Sequence, residues 1–222
     1  MKRSFGISLM VLCICAVMAV VDGVYQANYV LKSAIKLVMF LAIPVSFAFA
    51  DKGLKISRLF VMRKKGMGLA LLLGIGVYVV ILGGYFLLKD VFDFSAVTTT
   101  LTANIGVNGK NFIFVSLYIS FINSLLEEFF FRGFAFLTLK KRASRFYAYC
   151  FSALIFALYH VAMMIGWFSW EVFAIILLGL FVGGLLFNVL NEKSNTIYPS
   201  WFVHMFANFA INTVGFILFG II

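Results

Sequence analysis

Polar and apolar positions along this chain fall into long blocks, without the two-residue alternation of strands. Seven apolar blocks stand out, at roughly 5–22, 29–50, 67–89, 112–139, 146–165, 171–190 and 198–220. Each is near the ~20 residues a helix needs to cross a bilayer. In hydrocarbon every backbone N–H and C=O must find a partner, so blocks of this kind read as helices. Strands of a membrane barrel would show dyad alternation, which these blocks lack. The pattern predicts an all-α fold, a polytopic transmembrane helical bundle of about seven spans. Residues 1–111 hold three spans and a connecting loop, and 112–222 hold the other four. The fourth block is long, as expected for a helix that is tilted, bent or partly outside the bilayer. The polar connection at 90–111 reads as either a loop or a short interfacial helix.

The loops between the blocks give a direction. With the N-terminus inside, the inner loops carry Lys2, Arg3, Lys52, Lys55, Arg58, Arg63, Lys64, Lys65, Lys140, Lys141, Arg142, Arg145 and Lys193. The outer loops carry only Lys89 and Lys110. This asymmetry fits the positive-inside rule, with the N-terminus cytoplasmic and the C-terminus outside. Small size and compact loops suit a bacterial plasma membrane. The first block also has the basic start and apolar core of a signal peptide, but it is long enough to span and is expected to be retained. Lys32 and Lys36 fall near the outer end of the second block, where they are expected to snorkel to the interface or precede the helix.

Composition narrows the class. The chain is 64% hydrophobic and 12% charged over 222 residues, with mean hydropathy +1.09. A soluble domain of this size cannot bury so much apolar surface, so lipid is the solvent. The net charge of +10 does not indicate nucleic acid, because the basic residues cluster between apolar blocks. Cys13, Cys15 and Cys150 all lie within apolar blocks and read as buried thiols.

Against this background the stretch NSLLEEFFFRGF, Asn123 to Phe134, places three charges in a span. On a helix Glu128 and Arg132 share a face and can pair. Glu127 is turned about 100° away, above a stripe of Ser124, Asn123, Ser120 and Ser116 that should face the bundle interior. No local cation faces Glu127, and a desolvated carboxylate suits a general base. The chain's two histidines, His160 and His204, also fall inside spans, and Asn208 shares a face with His204. A base, an imidazole partner and two hydrogen-bond donors are the parts needed to activate water and stabilise an oxyanion.

EEFFFR, FALYH and HMFAN fit E-E-x-x-x-R, F-x-x-x-H and H-x-x-x-N. Their order and spacing resemble the CPBP family, which includes type II CAAX-processing endopeptidases and bacterial bacteriocin-processing and immunity (Abi-like) relatives. The resemblance covers roughly residues 112–212; the first three spans carry no motif. It implies an intramembrane endopeptidase acting on a membrane-associated protein or peptide. Glu127 and His160 would activate the attacking water, His204 and Asn208 would stabilise the oxyanion, and Glu128 and Arg132 would support the site. No cofactor is favoured. In the alternative, Zn2+ would be held by Glu127, His160 and His204, although the H-E-x-x-H spacing is missing.

Depth constrains any such site. Glu127 and His160 each lie about 20 Å of helix from the basic ends of their spans, and His204 only about 9 Å past Tyr198. The three can meet if the last helix starts deep, after a dipping loop marked by Pro199, or if the fourth and fifth protrude. The site is expected to open toward the cytoplasmic side. The rival class is non-enzymatic: a proton-coupled transporter, or an immunity protein that binds a partner. A transporter would string the polar groups along a path, whereas a protease needs them convergent around one water.

Overall fold

The computed structural model describes residues 2–50, 55–64 and 66–222, without the side chains of Lys2, Arg3, Asn104 and Ile105. Lys52 and Lys65, counted above among the inner charges, lie outside the described residues. Among the described residues eight long or medium helices follow one another: α1 (Lys2–Gly23), α2 (Tyr29–Ala50), α3 (Met67–Leu88), α4 (Ser95–Ile105), α5 (Phe112–Thr138), α6 (Arg145–Met164), α7 (Trp170–Ser194) and α8 (Tyr198–Leu218). All but α4 are long and apolar enough to cross a membrane. The polar connection thus resolves into the short α4, which ends where Gly106 takes a positive φ of 74°.

Local chemistry sets the ends of these helices. Asn28 and Ser144 cap α2 and α6, accepting from the backbone N–H of Leu31 at 3.0 Å and Tyr147 at 3.2 Å. Asn195, at φ 55°, closes α7 in a left-handed turn. The sixth apolar block was expected to end near 190, yet α7 runs on to Ser194. A salt-bridge network holds this extra polar turn. Glu192 receives Arg145 Nη2 at 2.7 Å, Lys140 Nζ at 3.2 Å and Tyr149 O–H at 2.5 Å, tying the basic ends of α5, α6 and α7 together.

α5 is the axis of the bundle. Its residues from Phe129 to Leu139 are all buried, and its helix widens to π-type turns at Ile119–Asn123 and Glu128–Thr138. Such widened turns recur at functional sites. Phe129, Phe130 and Phe131 serve packing: Phe130 stacks on Phe40 of α2, with centroids 4.1 Å apart. The lipid-facing sides of the helices stay apolar and open, as at Leu72, Val80, Leu87, Phe114 and Leu178.

The last helix starts from a buried turn. Thr196, Ile197, Pro199 and Ser200 are all buried, and Ile197 N–H donates to Leu59 O at 3.1 Å. The segment Ile56–Phe60 therefore covers the buried turn that leads into α8.

α6 and α7 approach closely at Gly184. A Cβ there would sit 3.0 Å from Ala153 Cα, a backbone atom that cannot swing aside. Gly184→Leu is expected to lower thermal stability in detergent by about 1–3 kcal/mol. An unchanged unfolding temperature would contradict this close packing.

Candidate functional site

Five helices bring polar side chains to the middle of the bundle: α2, α5, α6, α7 and α8. On α5, Glu127 and Glu128 are buried, with 2% and 0% exposure. Carboxylates so enclosed need partners, because an isolated buried charge costs several kcal/mol. Each finds a different set.

Glu127 splits its two oxygens. Oε1 receives Lys36 Nζ at 2.5 Å and Asn123 Nδ2 at 3.0 Å, and Lys36 also donates to Asn123 Oδ1 at 2.6 Å. Oε2 faces two imidazoles, His204 Nε2 at 3.6 Å and His160 Nε2 at 3.9 Å. These separations exceed a direct hydrogen bond, and the three atoms converge closely enough to share one water lying beside them. The histidine roles follow from what lies behind each ring. His160 Nδ1 is 2.7 Å from Phe156 O, which can only accept, so Nδ1 carries the proton and Nε2 presents its lone pair. The residue one turn before His160 thus orients it, through its backbone.

Glu128 turns the other way. Oε1 pairs with His204 Nδ1 at 2.9 Å, and Oε2 accepts from Ser200 Oγ, which in turn accepts from Asn191 Nδ2 at 2.7 Å. His204 therefore stands between the two glutamates. Arg132 was expected to neutralise Glu128, and it does so without a hydrogen bond. Its Nε is 3.7 Å from Glu128 Oε2, and none of its three nitrogens has a hydrogen-bond partner among the described residues. The fully buried guanidinium instead lies over the Phe156 ring, 3.8 Å from its centroid, with Phe187 at 5.0 Å. Coulomb attraction and the aromatic faces hold it.

The serine stripe faces α8, as its polarity required. Trp201 Nε1 donates to Ser124 Oγ at 3.0 Å, Asn212 Nδ2 to Ser120 Oγ at 3.0 Å, and Asn208 Nδ2 to Ile119 O at 3.1 Å. Asn208 thus reaches the widened turn of α5, with one of its two amide N–H groups committed there.

Two expectations need correction. Lys36 neither snorkels nor precedes its helix: it is 4% exposed and ion-paired with Glu127. Lys32 likewise pairs with Asp22 at 2.6 Å. It follows that Glu127 does have a cation, contributed by a span that carried no motif. A lone lysine in an apolar block was the available signal, because such a charge must find a counter-ion. Ser200, Asn191 and Asn212 also escaped sequence reasoning, being single polar residues with no motif around them.

A cleft of about 90 Å3 is lined in part by Asp22, Lys32, Ala162 and Met163, and by none of the site's glutamates or histidines. It opens at the end of the bundle where α1 turns into α2. At the basic end, Leu59, Thr196 and Ile197 are packed shut over the start of α8.

The donor types around Glu127 Oε2 are those zinc uses, and each imidazole has its Nδ1 fixed by an acceptor. The charge balance fits less well, because Lys36 already neutralises this carboxylate. Among the described residues no group of three or more His, Cys, Asp and Glu is arranged to hold a metal ion.

Residues 109–210 match the family model described as type II CAAX prenyl endopeptidase Rce1-like. The matched segment contains Glu127, Glu128, Arg132, His160, His204 and Asn208, while Lys36 lies outside it. No curated protein and no solved structure matches the chain.

The stacked position of Arg132 makes its planar group matter as well as its charge. Arg132→Lys is expected to destabilise the protein by about 1–2 kcal/mol, because a compact ammonium cannot lie flat on Phe156. Thermal unfolding of the purified variant measures this, and equal stability would show that charge alone suffices.

Proposed function

We propose that this integral membrane protein cleaves a peptide bond in a membrane-associated protein or peptide, using water activated by Glu127 and His160, a reading supported by the match of residues 109–210 to the type II CAAX prenyl endopeptidase Rce1-like family model. The observation that carries the reading is convergence. One oxygen of Glu127 faces two imidazole nitrogens within 4 Å, drawn from two other helices. A relay would space such groups along a path.

In this mechanism a water lying beside Glu127 Oε2 and His160 Nε2 gives up a proton to Glu127 Oε2 as it attacks the scissile carbonyl. The oxyanion forms on the α8 side. There His204, with a carboxylate on Nδ1, can carry a proton on Nε2 toward it. The uncommitted N–H of Asn208 is the second donor. Glu128, held by Ser200 and His204, keeps the ring in this orientation. Glu127 then returns that proton to the leaving amine as the C–N bond breaks, which completes the hydrolysis.

The reading uses no metal, and the ammonium beside Glu127 supports that choice, since it would repel a second cation at the same carboxylate. The basic inner loops support a cytoplasmic N-terminus, and seven spans then place the C-terminus outside. The plasma membrane of a bacterium suits the compact loops. Substrates carrying a prenyl group and substrates without one are both within the scheme.

The test is cleavage by purified protein in nanodiscs of a fluorogenic peptide with a farnesylated C-terminal CAAX sequence, beside its unprenylated twin. Glu127→Gln and His160→Ala are each expected to lower kcat by about 10²–10⁴-fold, with chelator leaving the wild type unaffected. Full activity in Glu127→Gln would overturn the mechanism. Loss of activity with chelator, restored by zinc, would replace it with the metal version on Glu127, His160 and His204.

A further inference from the structure

We propose that Lys36, outside the family-matched segment, is a positioning residue for the hydrolysis: it locks the Glu127 carboxylate so that Oε2 alone is presented to the reacting water. This rests on the proposed peptidase reading.

The argument begins from the freedom of a glutamate. The terminal torsion of its side chain is broad and two-fold, so an unrestrained carboxylate exchanges its oxygens easily. Here Oε1 is held by two donors. Lys36 Nζ lies 2.5 Å from it and Asn123 Nδ2 3.0 Å, while Lys36 Nζ also binds Asn123 Oδ1 at 2.6 Å. The three side chains close a ring in which each touches the other two. Rotating the carboxylate would break a charge-assisted bond and leave a buried ammonium without its anion, which is costly. Oε2 is thus the oxygen left facing His160 Nε2 and His204 Nε2.

The surroundings of Lys36 fit a fixed role. Its side chain is 5% exposed, and the ammonium lies 5.1 Å from the Phe40 centroid and 5.0 Å from that of Tyr159. The aromatic faces supply cation–π attraction and exclude water, so the ammonium cannot swing to solvent. The anchor is also rigid at the backbone. Directly after Leu37, α2 widens at Val38–Ala42, and Phe40 in that turn stacks on Phe130 of α5. The same helix pair that carries Lys36 and Glu127 is therefore clamped next to the site.

This assigns the N-terminal helices a part in the chemistry. The other charged or titratable groups around Glu127 are Tyr29 from α2, Tyr159 and His160 from α6, His204 from α8 and Glu128 and Arg132 from α5; the histidines, Glu128 and Arg132 each have their own partner or ring contact. Lys36 is the charged contribution of α2. It touches the carboxylate on the side away from the reacting oxygen, so it acts through Glu127 and not on substrate.

The experiment compares wild type, Glu127→Gln, Lys36→Met, Lys36→Gln and Lys36→Arg in nanodiscs, with the same farnesylated and unprenylated fluorogenic peptides. Lys36→Met removes charge and hydrogen bonds. Lys36→Gln keeps donor and acceptor without charge, which protects the test if the Met variant does not fold. The expected result is a fall in kcat of about 10²-fold for Met and about tenfold for Gln, with KM within about twofold. Lys36→Arg should recover most of kcat, because it restores a cation on Oε1. Wild-type kcat in Lys36→Gln, or equal changes in kcat and KM across the series, would overturn the positioning role while leaving the peptidase reading intact. Absence of wild-type cleavage of both peptides would overturn the peptidase reading, and this inference with it.

Discussion

Two adjacent carboxylates are buried at the centre of a helical bundle, and the arrangement around them follows from compensating their charge. Glu127 and Glu128 point to different neighbours, so they do not compete for one cation. Glu127 takes Lys36 from α2, and Glu128 takes Ser200 and His204 from α8, with Arg132 close by. Burying ions is expensive, and only complete sets of partners offset that cost. The helices that supply those partners are thereby fixed in register against α5.

A chemical asymmetry results from this compensation. One oxygen of Glu127 is saturated and the other is turned toward two imidazoles. His204 joins the two glutamates, so the group that receives charge in the reaction is tied to the group that supports it. The stripe from Ser116 to Ser124 extends the same contact surface along α8 through Asn208, Asn212 and Trp201. Packing and reactivity are therefore served by one interface, the seam between α5 and α8. The widened turns of α5 lie along this seam and open backbone carbonyls such as Ile119 O to side-chain donors.

Much of this was legible in the sequence. Hydropathy located all seven spans, because lipid solvation leaves a long-range compositional trace that tertiary contacts do not erase. The candidate set Glu127, Glu128, Arg132, His160, His204 and Asn208 was legible as polar residues at helical spacing inside apolar blocks. The structure brings the glutamates and both histidines together and places Asn208 on the same seam. Lys36 was visible as an anomaly but not as a member of the site, because its partner lies 91 residues away and helix spacing says nothing about contacts between spans. The last turn of α7 was missed for a related reason. Asn191, Glu192, Lys193 and Ser194 read as loop, and it is contacts with other spans, those of Glu192 with α5 and α6 and of Asn191 with Ser200, that hold this turn in place.

The central claim is that Glu127 activates a water and does not itself attack the substrate. A single turnover in heavy-oxygen water, followed by mass spectrometry of product and enzyme, tests it directly. The account predicts the heavy oxygen in the new C-terminal carboxylate of the product and none in Glu127. Label recovered in the Glu127 side chain would reveal a covalent anhydride intermediate and contradict the account.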